Sequence, residues 1–171
     1  MKRLRFLLLS LGSLGWALPG TAQTAPSKWL SYDAATKTVT FALEAGSGAS
    51  GLFNFNGYAK GAATLVVPPG STVVMNFVNL DATAHSAELI ADADPMPAVV
   101  GDPAIPDART GAVAQGLPKG GKDVMRFTAP PSGSFRISCG VPGHGLSGMW
   151  IRFKVDPAAK SPSFLEGAKT S

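Results

Sequence analysis

The stretch SFRISCGVPGHGLSGMWIRFKV, residues Ser134–Val155, joins two short β-type runs through a glycine-rich loop. Successive side chains of a β-strand point to opposite faces of the sheet, so every second residue shares a face. The apolar faces of the two runs consist of Phe135, Ile137 and Cys139, and of Met149, Ile151, Phe153 and Val155. Because apolar faces pack into a core, the pattern predicts two strands that point Cys139 and Met149 inward.

The loop between these runs concentrates soft and borderline metal ligands. Cys139 is the only cysteine of the chain, His144 is one of its two histidines, and Met149 follows the histidine by five positions. The glycines of GVPGHGLSG allow the loop to fold His144 back towards the inward faces of the strands. One loop can therefore bring a thiolate, an imidazole and a thioether to a single point.

The second histidine completes a recognisable set of donors. In the run AHSAELI, alternation places His85 on the same face as Ala87 and Leu89, which is the core side. Two imidazoles, one thiolate and a weak axial thioether form the trigonal set of a blue-copper electron-transfer centre. Zinc favours closed tetrahedral sites with more thiolates, so the set favours copper. The sequence predicts one type 1 copper bound by His85, Cys139, His144 and Met149.

Other uses of these residues are weaker. A buried cysteine or methionine is often a plain core residue, and a histidine in a glycine loop is often solvated. A hydrolase that uses Cys139 and His144 would need a group to orient the histidine, and no carboxylate or amide neighbours His144. A catalytic copper enzyme would need further histidines, which this chain lacks. We therefore expect no enzymatic activity.

The rest of the chain is patterned as short strands between glycine and proline breakers. Runs of β-type pattern are TVTFAL, GLFNFNG, ATLVV, STVVMNFVN, AHSAELI, KDVMRF, GSFRISC and MWIRFKV. Seven or eight strands at this spacing predict an all-β fold, a Greek-key β-sandwich or barrel. Residues 91–121 carry five prolines and little pattern, which predicts a long loop insertion with one short helical turn over 108–115. The tail from Pro157 is polar and is predicted to fray.

The first 22 residues have the pattern of a secretory signal peptide. Lys2, Arg3 and Arg5 precede the apolar run Phe6–Leu18, and small residues lead to a cleavage site after Ala22. Export to the periplasm or the extracellular space follows, and no membrane span would remain after cleavage. The alternative is a leader that is retained as a membrane anchor, but the apolar run is shorter than the roughly 20 residues of a spanning helix.

Cleavage would leave residues 23–171, which predict a single domain with a core over about 38–156 and the insertion over about 91–121. The whole chain has 15 Lys and Arg against 11 Asp and Glu, and three of the basic residues lie in the leader. The remaining 12 basic residues nearly balance the acidic ones, and no basic stripe for nucleic acid is left. We expect a monomer.

The motif CGVPGHGLSGMW, Cys139–Trp150, resembles the copper loop of the cupredoxins. Four residues separate the cysteine from the histidine and four separate the histidine from the methionine, a spacing similar to that of sulfocyanin-like and rusticyanin-like members. FNFNG at Phe53–Gly57 resembles a sulfocyanin motif. The resemblance implies the cupredoxin fold, with His85, Cys139 and His144 as equatorial ligands and Met149 as the axial ligand.

The resemblance also implies a function and a supporting residue. Cupredoxins of this kind carry single electrons between protein partners, so a redox donor and acceptor would dock near His144. The alternative is a copper chaperone or store, which could use the same ligands. Ser86 follows the first histidine as in rusticyanin-like proteins. We expect it to support the site by hydrogen bonding near the Cys139 sulfur or the loop that carries it.

Overall fold

A computed structural model describes residues 27–48 and 51–167. The predicted signal peptide, residues 1–22, lies outside this part of the chain. The described residues form nine strands: β1 Leu30–Asp33, β2 Thr38–Ala45, β3 Ala63–Val67, β4 Thr72–Asn79, β5 Glu88–Ala91, β6 Lys122–Thr128, β7 Gly133–Ser138, β8 Trp150–Val155 and β9 Ser163–Glu166. The prediction of an all-β fold is confirmed.

The strands form two sheets that pack face to face. One sheet has the order β1-β2-β4-β6 and the other has the order β5-β7-β8-β3-β9. The pairs β2–β4 and β3–β8 are parallel, and the other neighbours are antiparallel. No closed barrel forms among the described strands, so of the two predicted architectures the structure is a sandwich.

Strand alternation builds the core as the sequence predicts. Along β2 the side chains of Val39, Phe41 and Leu43 are fully buried, while their neighbours are partly exposed. On the opposite sheet Ile151 and Phe153 are fully buried in β8. The polar positions between them face outward because the pleat reverses direction at every residue. The two inner faces together form one apolar core.

The segment GLFNFNG does not form the predicted strand. Only isolated bridges join Phe55 to Ala45 and to Tyr58. Asn56 has a φ of 55° and Gly57 has a φ of 84°, so the chain turns back there instead of extending. Fully buried asparagine side chains take over the hydrogen bonding: Asn56 accepts from the Glu44 N–H and donates to a β2 carbonyl.

Residues 158–167, the part of the predicted frayed tail that the structure describes, do not fray. Residues Ser163–Glu166 form β9, which pairs antiparallel with β3. Phe164 is buried and packs its ring against Trp29 and Phe41 at centroid distances of 5.8 and 5.1 Å. The buried ring of Phe164 thus anchors this segment to the core.

The connection between β5 and β6 lies against the sandwich. The Ala104 N–H donates to the Leu89 carbonyl, and the Leu89 N–H donates to the Ala108 carbonyl. The predicted helical turn over 108–115 is not a helix; a single hydrogen-bonded turn closes from Gly116 to Ala112. Nowhere in residues 27–48 or 51–167 is there a helix of the length and apolarity that crossing a membrane requires.

Glu88 is a buried acid beneath this connection. Its side chain is fully buried, and neither carboxylate oxygen has a hydrogen-bond partner among the described residues. Burial raises the pKa of Glu88 from its ordinary 4.5 to about 7; Arg109 opposes the rise and Asp102 adds to it. The neutral form is therefore the one that the fold tolerates.

The burial of Glu88 predicts that the protein loses stability as the pH rises. The folded pKa of about 7 lies above the ordinary value of 4.5, so the folded state binds the proton more tightly. The contribution of Glu88 to the free energy of unfolding is full below pH 4.5 and is lost as the pH rises through 7. The free energy of unfolding falls by at most about 1.4 kcal/mol per pH unit in this range. Thermal melts of wild type and Glu88→Gln from pH 4 to 8 measure it. We expect Glu88→Gln to flatten the curve, and parallel curves would contradict this assignment.

Candidate metal centre

Cys139 follows directly after β7 and is held by the neighbouring strand. Ser138 pairs with Trp150, and the Cys139 N–H donates to the Met149 carbonyl at 3.0 Å. Both side chains keep the inward parity of their strands and are almost completely buried. The register of two strands therefore places Cys139 and Met149 side by side at one end of the core.

The loop between them folds His144 back towards Cys139. The His144 N–H donates to the Val141 carbonyl, and the Met149 N–H donates to the His144 carbonyl. Gly143 and Gly148 have φ values of 83° and 99°, a backbone region that glycine adopts without steric cost. The loop therefore closes as a compact turn that carries the imidazole, whose side chain stays partly exposed.

His85 comes from a different part of the chain. It lies three residues before β5 rather than inside a strand, and it pairs in an isolated bridge with Leu117. Its N–H donates to the Leu117 carbonyl at 3.2 Å, and its carbonyl accepts from the Leu117 N–H at 2.7 Å. The side chain is fully buried. The connection between β5 and β6 thus holds the backbone of this histidine.

Three donor atoms meet in a small triangle. The Nδ1 atoms of His85 and His144 are 3.3 Å apart. The Sγ of Cys139 lies 3.4 Å from Nδ1 of His144 and 3.9 Å from Nδ1 of His85. The sequence predicts that these three residues converge, and the structure brings them together. Their side chains form a group that could hold a metal ion.

The triangle has the dimensions of a three-coordinate metal site. Metal–nitrogen distances of about 2.0 Å and metal–sulfur distances of about 2.3 Å, at angles of 120°, separate the donors by roughly 3.5 to 3.8 Å. The observed separations of 3.3, 3.4 and 3.9 Å bracket these values. Two imidazoles and one thiolate in a trigonal arrangement fit copper.

The electrostatics favour a neutral His144 imidazole and an initially protonated Cys139 thiol. Burial raises the pKa of Cys139, although N–H donors from Ser86 and Val141 oppose the rise. Burial and then the neighbouring His85 lower the pKa of His144. The His144 ring is therefore available as a ligand at neutral pH, whereas a metal that binds Cys139 must displace the thiol proton.

Ser86 contacts both the sulfur and the loop that carries it. Its N–H donates to the Cys139 Sγ at 3.4 Å, and its Oγ lies 3.8 Å from the same sulfur. The Oγ accepts from the Gly140 N–H at 3.0 Å and donates to the Val113 carbonyl at 2.7 Å. Although an ideal strand would turn Ser86 away from His85, this segment is not a strand, and the residue is fully buried.

Two residues at the site escaped the sequence reasoning. Asp81 places Oδ2 3.1 Å from the Nε2 of His85, and the only signal was an acid four positions before a histidine. Phe53 packs its ring against His144 at 4.7 Å and against His85 at 6.3 Å. Phe53 belongs to the motif FNFNG. Because that motif was predicted to be a strand, the contact of Phe53 with the histidines was not predicted.

The chain matches the family described as the Sulfocyanin (SoxE) domain over residues 25–165. The chain belongs to this family. It is also 33% identical over 129 residues to sulfocyanin of Sulfolobus acidocaldarius strain ATCC 33909, a match that covers 70% of this chain. The matched part spans only 64% of the length of that relative. The sequence resemblance to the sulfocyanins is therefore confirmed.

Solved structures of cupredoxins share the fold. Rusticyanin from Thiobacillus ferrooxidans is 28% identical with a TM-score of 0.50, covering 70% of this chain and 82% of its own. Auracyanin A, named a blue copper protein from Chloroflexus aurantiacus, has a TM-score of 0.50 at 22% identity and covers 70% of this chain and 99% of its own. The second likeness concerns the fold alone.

We predict that Ser86→Ala weakens metal retention more than it weakens the fold. The change leaves the buried Gly140 N–H and Val113 carbonyl without their partner, at a cost of about 1–3 kcal/mol. The Cys139 loop then loosens, and N–H donors aim less well at the sulfur, which lowers the reduction potential. Copper-loss rates and voltammetry of wild type and Ser86→Ala in one buffer measure both effects. Equal rates and equal potentials would show that Ser86 has no part in the site.

Proposed function

We propose that this protein is a type 1 copper protein that carries one electron at a time between redox partners. His85, Cys139 and His144 would bind the copper as equatorial ligands, with Met149 as the axial ligand. The observation that carries the proposal is the triangle of Nδ1, Nδ1 and Sγ atoms, 3.3 to 3.9 Å on a side. Membership of the sulfocyanin family and the cupredoxin fold support it.

The surroundings of the donors suit electron transfer. Copper supplies the one-electron couple. Cys139 and Met149 are linked through a backbone hydrogen bond, and His85 is fixed by its paired hydrogen bonds to Leu117. Ligands that keep one arrangement in both oxidation states reduce the reorganisation that accompanies electron gain and loss. Three of the four proposed ligands are buried, which limits the access of a substrate to the metal and supports a carrier rather than an enzyme.

His144 offers the route for electrons because it alone among the four proposed ligands is partly exposed. Two exposed apolar side chains are associated with His144. Leu146 lies in the same loop, and Leu52 precedes the Phe53 that packs on the histidine ring. A weakly polar surface of this kind suits the brief docking of a protein donor and then an acceptor.

We further propose an exported monomer with a single domain over residues 23–171 and an insertion over about 91–121. Its core extends beyond the predicted bounds of about 38–156, because Trp29 and Phe164 are part of it. The signal-peptide pattern of residues 1–22 supports export to the periplasm or the extracellular space. The near balance of acidic and basic residues after Ala22 gives no support for nucleic acid as a partner.

A copper chaperone or store is the alternative use of the same donors. A chaperone must release its ion to a partner, which requires ligands that the partner can reach. His85, Cys139 and Met149 are each at most 1% exposed, which disfavours direct exchange. Rapid electron exchange at a reversible potential would separate the carrier from the store.

We predict that copper(II) produces an intense visible thiolate-to-copper band that Cys139→Ser abolishes. Serine cannot supply the sulfur orbital, whereas its small buried side chain costs the fold only about 1–3 kcal/mol. Absorption spectra before and after a mild reductant and thermal melts without metal check both statements. Ser147→Ala, on the exposed side of the same loop, serves as the control that keeps the band. A coloured Cys139→Ser variant would refute the ligand assignment.

We predict that Met149→Leu keeps the visible band and raises the reduction potential. The weak thioether donor stabilises the oxidised ion, and leucine removes that donation. The swap nearly conserves volume, so the fold should lose less than about 1.5 kcal/mol. Met125→Leu is the matched control, because Met125 is equally buried but lies on β6. A colourless Met149→Leu or an unchanged potential would contradict the axial role.

A further inference from the structure

Asp81 presents a carboxylate to the buried histidine of the site. Its Oδ2 lies 3.1 Å from Nε2 of His85, on the side of the ring opposite the donor triangle. The histidine is fully buried, and the aspartate side chain is only 14% exposed. The contact is therefore largely shielded from water. A hydrogen bond to a charged acceptor is stronger in such a shielded place than in water.

The direction of this hydrogen bond determines the state of the imidazole. An ionised carboxylate has no proton to give, so Nε2 must be the donor. In a neutral imidazole the other nitrogen then carries the lone pair. That nitrogen is Nδ1, which faces the Cys139 sulfur and the His144 ring. The contact selects the one neutral tautomer that can bind a metal at the triangle.

The aspartate is itself held in place. Its Oδ1 accepts from the Thr83 N–H at 2.5 Å, and its own N–H donates to Oδ1 of Asn79 at 3.1 Å. The Asn79 amide donates in turn to the carbonyls of Thr83 and Leu117. Asn79 thus links the backbone of Asp81 to the same Leu117 that pairs with the backbone of His85.

Gly46 leaves the space that the carboxylate occupies. A Cβ at position 46 would lie 2.3 Å from Oδ2 of Asp81, and Gly46 has a φ of 63°, which disfavours other residues. Position 46 therefore accommodates glycine alone as long as Asp81 keeps this orientation. Hydrogen bonds on one side and a missing side chain on the other define a socket for the carboxylate.

We propose that Asp81 is a positioning residue that fixes the His85 tautomer and strengthens Nδ1 as a donor. The second part rests on the copper site of the proposed function. A carboxylate behind a ligating imidazole raises its basicity, and such partners are typically worth about 10–100-fold in metal affinity. A nearby negative charge favours copper(II) over copper(I) and so lowers the reduction potential.

The test compares wild type with Asp81→Asn, Asp81→Ala and the control Asp102→Asn. Asp102 is 99% exposed, so the control removes the same charge at the surface. In the copper-free protein, nitrogen-15 NMR reads the His85 ring. Asp81→Asn should weaken the Nε2–H hydrogen bond, because the neutral acceptor is poorer, and shift its proton resonance. Asp81→Ala should populate the Nδ1–H tautomer, and Asp102→Asn should match wild type.

In the copper-loaded protein, Asp81→Asn should bind copper(II) about 10–100-fold more weakly and move the potential upward. Unchanged NMR signals for both Asp81 variants would overturn the positioning role. Unchanged affinity and potential in Asp81→Asn would overturn the donor-strength role. A wild-type protein that forms no visible band with copper would refute the proposed function, while the copper-free measurement would still decide the tautomer. If Asp81→Ala does not fold, Asp81→Asn decides both parts.

Discussion

The pairing of β7 with β8 is the constraint on which the site and much of the core depend. Its register joins the Cys139 N–H to the Met149 carbonyl and turns both side chains inward. A shift of this register by one residue would turn every side chain of one strand to the other face of the sheet. The apolar face of that strand would become exposed, and a proposed ligand would leave the site. Core packing and ligand placement are therefore one requirement. The glycine loop between the strands only has to return His144 to a point that the register has already set.

Residues with a strict period of two could be predicted from the sequence. The burial of Phe41, Ile151 and Cys139 follows from alternation, and the four candidate ligands stand out because soft donors are so rare in this chain. The all-β class follows from the same periodicity. These features depend on neighbours a few positions apart, which a sequence displays directly.

Features that depend on distant partners were missed or misread. FNFNG alternates like a strand, yet Asn56 adopts a positive φ and its amide replaces a strand neighbour. In β9 only Phe164 is buried, and its aromatic contacts with Trp29 and Phe41 hold the strand in place. Asp81 is an ordinary loop acid until the fold places it behind His85. In each case a long-range contact overrides the local pattern.

The centre draws on parts of the chain that lie far apart, and this affects when it can exist. The contact between His85 and Cys139 spans 54 residues, and that between His85 and His144 spans 59. Contacts of such separation form only after long loops have closed, which makes them slow and late events in folding. A newly made chain therefore acquires its complete donor set only when the sandwich has assembled. A metal that needs the complete donor set would therefore bind only to completely folded molecules and would distinguish them from partly folded ones.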